Sequence, residues 1–77
     1  MAERLPISET AENAVGLDFN PSGSPRVLLL KKLAAAFITE CENIADDGIA
    51  RREAKVAITE METACMWAVK AATKGLS

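Results

Sequence analysis

Two long stretches of helical periodicity, parted by one short break, constrain this chain more than any other feature. Ser24 can cap free backbone N–H groups and Pro25 suits the first helical position, so a helix is expected from Pro25 to about Ile44 or Ala45. Asp46-Asp47-Gly48 ends it. A second helix is expected from about Ile49 to Thr73, stopped by Gly75. A link this short makes the two helices antiparallel neighbours. The fold class is therefore all-α: an antiparallel helical hairpin over residues 25–74.

Residues 1–24 form a leader of different character. Ser8 to Ala14 can make about two helical turns before Gly16, with acidic residues at the positive end of the dipole. Asp18-Phe19-Asn20-Pro21-Ser22-Gly23 reads as a turn carrying one large apolar side chain. Phe19 is expected to plug the leader onto the hairpin, unless it serves a ligand.

In the first long helix Val27, Leu30, Ala34, Phe37, Cys41 and Ile44 recur every three or four residues on one face, which Leu33 and Ile38 widen. Leu28, Leu29, Ala35 and Ala36 fall outside that face, more than one partner helix can cover. The second helix carries a small-residue stripe: Ala50, Ala54, Ala57/Ile58, Met61, Cys65, Ala68/Val69 and Ala72. Val56 and Trp67 sit on nearly the opposite side, and a large aromatic on a polar face marks a protein interface. A chain of 77 residues also has a marginal core, burying only roughly 60% of its unfolded surface. Self-association through Leu29, Leu33, Val56 and Trp67 is the expected remedy.

Composition narrows the function by exclusion. At 49% hydrophobic and 26% charged the chain is a folder rather than a disordered segment. A net charge of −2 argues against a general DNA binder. The start of the chain has no long apolar run of a signal peptide, and Lys31-Lys32 breaks the longest apolar stretch, so a soluble intracellular protein is expected, without a membrane span. There is no histidine, the commonest general base. The serines lack a base to activate them, and Asn20-Pro21-Ser22-Gly23 lacks the spacing of a phosphate loop. Glu40 and Glu42 diverge around their helix, as do Glu60 and Glu62, so neither pair makes a carboxylate dyad; all four read as a solvated face. In the hairpin register Cys41 and Cys65 lie roughly 18 Å apart along the helices, beyond the Cα reach of about 7 Å that a disulfide allows. Both read as small core residues, and two distant cysteines make no zinc site. No catalysis, cofactor or metal is expected.

Binding is open. Lys31 and Lys32 open the first helix while Lys70 and Lys74 close the second, which puts all four at the same end of a hairpin. Such a cluster suits an anionic ligand, and Phe19 nearby could stack on a base. The alternative is that these lysines serve the helix dipole and solubility.

Phe19-Asn20-Pro21-Ser22-Gly23, Pro25, Val27 and Leu30-Lys31-Lys32-Leu33, with the ending Ala57 to Lys74 and its A-x-T-x-x-E-x-A-x-M-W-A-x-K-A pattern, resemble a known family. It is the small phage hairpin-domain family that includes the anti-CBASS cyclic-nucleotide sponges and shares its hairpin with the Thoeris anti-defence sponges. The resemblance covers residues 19–74. It implies a compact homo-oligomer, hexameric in the anti-CBASS sponges, that acts in the host cytoplasm. It further implies binding of cyclic di- and tri-nucleotides without cleavage, so that the immune signal never reaches its effector. The dinucleotide pocket of the family lies between protomers and uses a lysine of the first long helix, matched by Lys31, and an aromatic before it. That aromatic is usually a Tyr in Gly-Tyr-Arg; here Gly16-Leu17-Asp18-Phe19 stands near it, and Phe19 stacks but donates no hydrogen bond. Lys70 matches the basic residue for trinucleotides, where Arg is usual. Two rivals remain: sequestration of an ADP-ribose-derived Thoeris signal, and a purely structural protein–protein interaction module docking through Trp67.

Overall fold

The computed structural model describes residues 5–74, which form three helices: α1 (Glu9–Val15), α2 (Pro25–Asp46) and α3 (Arg51–Thr73). Their ends obey the sequence closely. Ser8 Oγ accepts from the Ala11 N–H at 3.0 Å and caps α1, and left-handed Gly16 (φ 64°) ends it while its N–H and that of Leu17 return to Asn13 and Glu12 carbonyls. Ser24 caps α2 through the Val27 N–H, with Pro25 in the first turn. The hairpin turn takes residues 47–50; Gly48 adopts φ 86°, and α3 begins at Arg51 with no side-chain cap on Ala50. The stop expected at Gly75 lies outside the described residues.

The small-residue stripe of α3 faces inward as expected: Ala54 and Cys65 are buried, and Ala57, Ile58, Met61, Ala68, Val69 and Ala72 are half-buried. On α2 the buried face is rotated from the expected one. Val27, Ala34 and Cys41 are buried and Leu30 is half-buried, but Phe37 and Ile44 are exposed, while Lys31, Ala35, Ala36, Ile38, Thr39 and Ala45 are buried. Ala35 and Ala36, expected outside the buried face, lie inside it because α1 packs there: Ala35 is 0% exposed and shares a cluster with Ala11 and Ile38, flanked by Ile7, Val15, Ile58 and Met61. The leader thus covers part of the apolar surface that periodicity alone assigned to other subunits.

Polar groups fix that docking. Thr39 Oγ1 accepts from the Ser8 N–H at 2.9 Å and donates to the Ala35 carbonyl at 2.8 Å. Ser8 Oγ and Thr10 Oγ1 each donate to a separate oxygen of Glu42, both at 2.6 Å. Glu42 is therefore an anchor of the leader and not part of a solvated face, because the hydroxyls of residues 8 and 10 reach it when α1 lies across α2. Cys41 and Cys65 are both buried and unbridged. Among the described residues no helix is long and apolar enough to cross a membrane.

Candidate functional site

The segment between α1 and α2 is stitched to itself. The Phe19 N–H donates to the Gly16 carbonyl at 2.9 Å, Asn20 Nδ2 donates to the Ser24 carbonyl at 3.1 Å, and Ser22 Oγ donates to Asn20 Oδ1 at 2.8 Å. Into the underside of this turn rises Lys31, the second turn of α2. Its ammonium donates to the Gly16 carbonyl at 2.9 Å and to the Phe19 carbonyl, and lies 5.6 Å from the centre of the Phe19 ring. Lys31 is only 7% exposed. An ammonium has three N–H donors, so two carbonyls leave one uncommitted.

Phe19 itself is 70% exposed. It does not plug the leader onto the hairpin; the leader docks here through backbone carbonyls on a lysine, and the ring is left facing outward beside that cation. The ring's negative face favours this arrangement.

Two clefts open on either side of Lys31. The larger, about 350 Å³, runs from Phe19, Asn20 and Pro21 along Val27 and Lys31 to Val69 and Thr73 of α3. The smaller, about 220 Å³, is walled by Ala14, Val15, Met66 and Val69, with Lys31, Glu62 and Cys65 also lining it. Lys31 and Val69 belong to both. The sequence pointed to Phe19 and Lys31, and the fold brings them together. It did not single out Glu62, which was read as solvated. Glu62 is half-buried and lines the cleft because it lies four residues after Ile58 and three before Cys65, on the edge of the inward stripe. That spacing was the available signal.

Neither Lys32 nor Lys70 lines the clefts beside Lys31. Lys32 lines a separate cleft with Leu29 and Leu33, since consecutive residues point about 100° apart on a helix at 3.6 residues per turn. Lys70 lies 5.5 Å over the Trp67 ring, and lines neither cleft beside Lys31. Of the lysines expected to cluster, Lys32 and Lys70 thus stand apart from Lys31. Leu29, Leu33, Val56 and Trp67 are all exposed, Trp67 at 64%. Leu33 and Phe37 also edge an apolar groove of about 340 Å³ between α2 and α3.

Burial pushes both thiols above their ordinary value. For Cys65 the Lys31 ammonium partly offsets that rise, whereas for Cys41 the Glu40 carboxylate adds to it. Neither residue is poised as a thiolate nucleophile.

These features define a small all-α hairpin domain with a leader folded over a buried lysine between two clefts. A family model, the Acb2/Tad1 hairpin domain, matches residues 9–73, and the chain belongs to that family of anti-CBASS and anti-Thoeris sponges. The match begins at the first residue of α1, so the leader helix is part of the family unit. Membership implies a phage anti-defence sponge that binds small signalling molecules and oligomerises. Comparisons with curated proteins and with solved structures gave no match.

Proposed function

We propose that this protein sequesters cyclic oligonucleotide immune signals, cyclic dinucleotides and also cyclic trinucleotides, in the host cytoplasm without cleaving them, and so blocks activation of CBASS effectors. Beyond family membership, the observation that carries this reading is the Lys31 ammonium, buried beside the Phe19 ring with one donor uncommitted and a cleft on each side. A phosphate at that donor gains a charge-assisted hydrogen bond in a site shielded from water. The exposed Phe19 ring offers a stacking face for a base. Lys70, held over Trp67, is a second cationic site suited to the larger trinucleotide.

The working form is a homo-oligomer, a hexamer as in the anti-CBASS members. Eleven large apolar side chains among the described residues are more than a third exposed, Leu29, Leu33, Val56 and Trp67 among them, and subunit contacts would take these side chains out of water. Sequestration requires tighter binding than the effector achieves; low-nanomolar affinity corresponds to about −12 kcal/mol.

Titration calorimetry with a panel of cyclic di- and tri-nucleotides and cyclic ADP-ribose isomers tests this. The expected result is tight binding of at least one cyclic oligonucleotide, recovered intact after denaturation. Heat only with ADP-ribose derivatives reassigns the protein to the Thoeris signal. No heat with any of them leaves an interaction module built on the Trp67 face.

A further inference from the structure

The smaller cleft holds a group that the binding role described so far does not use. Glu62 is half-buried in a lining that is otherwise apolar apart from Lys31, and among the described residues its carboxylate has no hydrogen-bond or ion-pair partner. Its counterpart on α2, Glu42, spends both oxygens on Ser8 and Thr10. A carboxylate accepts only, and with no protein donor on it Glu62 keeps its oxygens open to solvent and to a donor that enters the cleft. Among the residues that line the two clefts Glu62 is the one carboxylate, and its oxygens are available to the donors of a ligand.

The size of the cleft says what brings them. About 220 Å³ is below the roughly 300–1,000 Å³ of a complete small-molecule site, so this cleft takes one part of a ligand. Lys31 and Val69 line both clefts, so a group seated in the smaller one lies next to the same ammonium that borders the larger. Val15, Met66 and Val69 offer apolar surface to a flat ring, and the Met66 thioether adapts to its edge.

We propose that this cleft seats a purine base and that Glu62 selects guanine, a proposal that rests on the nucleotide-sponge reading. The Watson–Crick edge of guanine presents two adjacent donors, N1–H and the exocyclic amine, which match the two oxygens of one carboxylate. Adenine sets the lone pair of its N1 there, next to a negative charge. The discrimination from one such pair of bonds is roughly tenfold or more.

Calorimetry on the full chain with cyclic GMP–AMP and cyclic di-AMP tests the assignment. The protein should bind cyclic GMP–AMP about tenfold more tightly or better. Replacing guanine by hypoxanthine, which lacks the exocyclic amine, should remove much of that preference with the protein unaltered. Glu62→Gln should collapse or invert the ratio, because an amide can pair with adenine. Loss of a negative charge near Lys31 tightens both ligands alike and leaves the ratio alone, so the ratio isolates base reading from electrostatics. Binding of both nucleotides with a ratio near one, or a ratio untouched by Glu62→Gln and by hypoxanthine, overturns the role of Glu62 and leaves the sponge reading standing. No binding of any nucleotide overturns both.

Discussion

The leader is held on α2 at two places by opposite charges. At its start, the Ser8 and Thr10 hydroxyls donate to the Glu42 carboxylate, and the Ser8 N–H donates to Thr39. At its exit, the Gly16 and Phe19 carbonyls accept from the Lys31 ammonium. The two anchors are eleven residues apart on α2, about 16 Å along its axis. Each suits its end of α1, an anion by the N-terminus and a cation by the C-terminus. They differ in what is left over. At Glu42 the acceptor oxygens are matched one to one with hydroxyls, and the contact is complete. At Lys31 a donor remains, a ring stands exposed beside the cation, and clefts open on both sides. The same device serves as a clasp at one end and as a clasp bordering a site at the other.

The largest effect that would break this contrast is on binding. Lys31→Ala should weaken cyclic-dinucleotide retention by about a hundredfold, equivalent to roughly 2.7 kcal/mol, and should raise hydrogen exchange at Gly16 and Phe19. Glu42→Ala should leave retention within about threefold, since it touches neither cleft, while lowering stability by about 1–2 kcal/mol in urea unfolding. Equal losses of retention in the two variants would mean that Lys31 acts only by holding the leader.

Gly16→Ala sharpens the Lys31 side. Gly16 stands at φ 64°, and an added Cβ would meet only the Lys31 ammonium and the Phe19 Cβ, both at 3.8 Å. Space is available, so the cost is conformational: about 1 kcal/mol, read as a lower melting temperature. The smallest effect concerns the cysteines. Lys31 restrains the rise in the Cys65 thiol and has no such role at Cys41. Lys31→Ala should therefore slow alkylation of Cys65 in the folded protein relative to Cys41. Both thiols hold their protons more firmly folded than unfolded, so their contribution to stability is present at neutral pH. It is lost as the pH rises through their raised values, which alkaline unfolding curves will register.

Much of this architecture was legible in the residues themselves. Ser8, Gly16, Ser24 and Pro25 mark helix ends by local chemistry that needs no tertiary partner, and each does so in the fold. The inward stripe of α3 was legible because it packs against one partner, as a single period assumes. On α2 the same reasoning misplaced the buried face, because α2 packs on α3 and on α1 at once, and two partners bury an arc wider than one stripe. That is why Ala35 and Ala36 are inside while Phe37 and Ile44 are out. The site was half legible. Lys31 and Phe19 were visible as types, but that the lysine binds the backbone of the turn carrying Phe19 depends on where α1 lies. Glu42 and Glu62 looked alike in sequence, as exposed acids beside a stripe. The docking of α1 makes one an anchor and leaves the other facing a cleft.

The most direct test of the central claim, that the ligand seats at the Lys31 end of the leader, is a backbone-amide NMR titration with cyclic GMP–AMP. The account predicts the largest shifts at Gly16, Phe19, Glu62 and Val69, with Ser8, Thr39 and Glu42 nearly unmoved. Shifts centred on Ser8 and Glu42, or confined to Trp67 and Lys70 with Gly16 and Val69 silent, would contradict it.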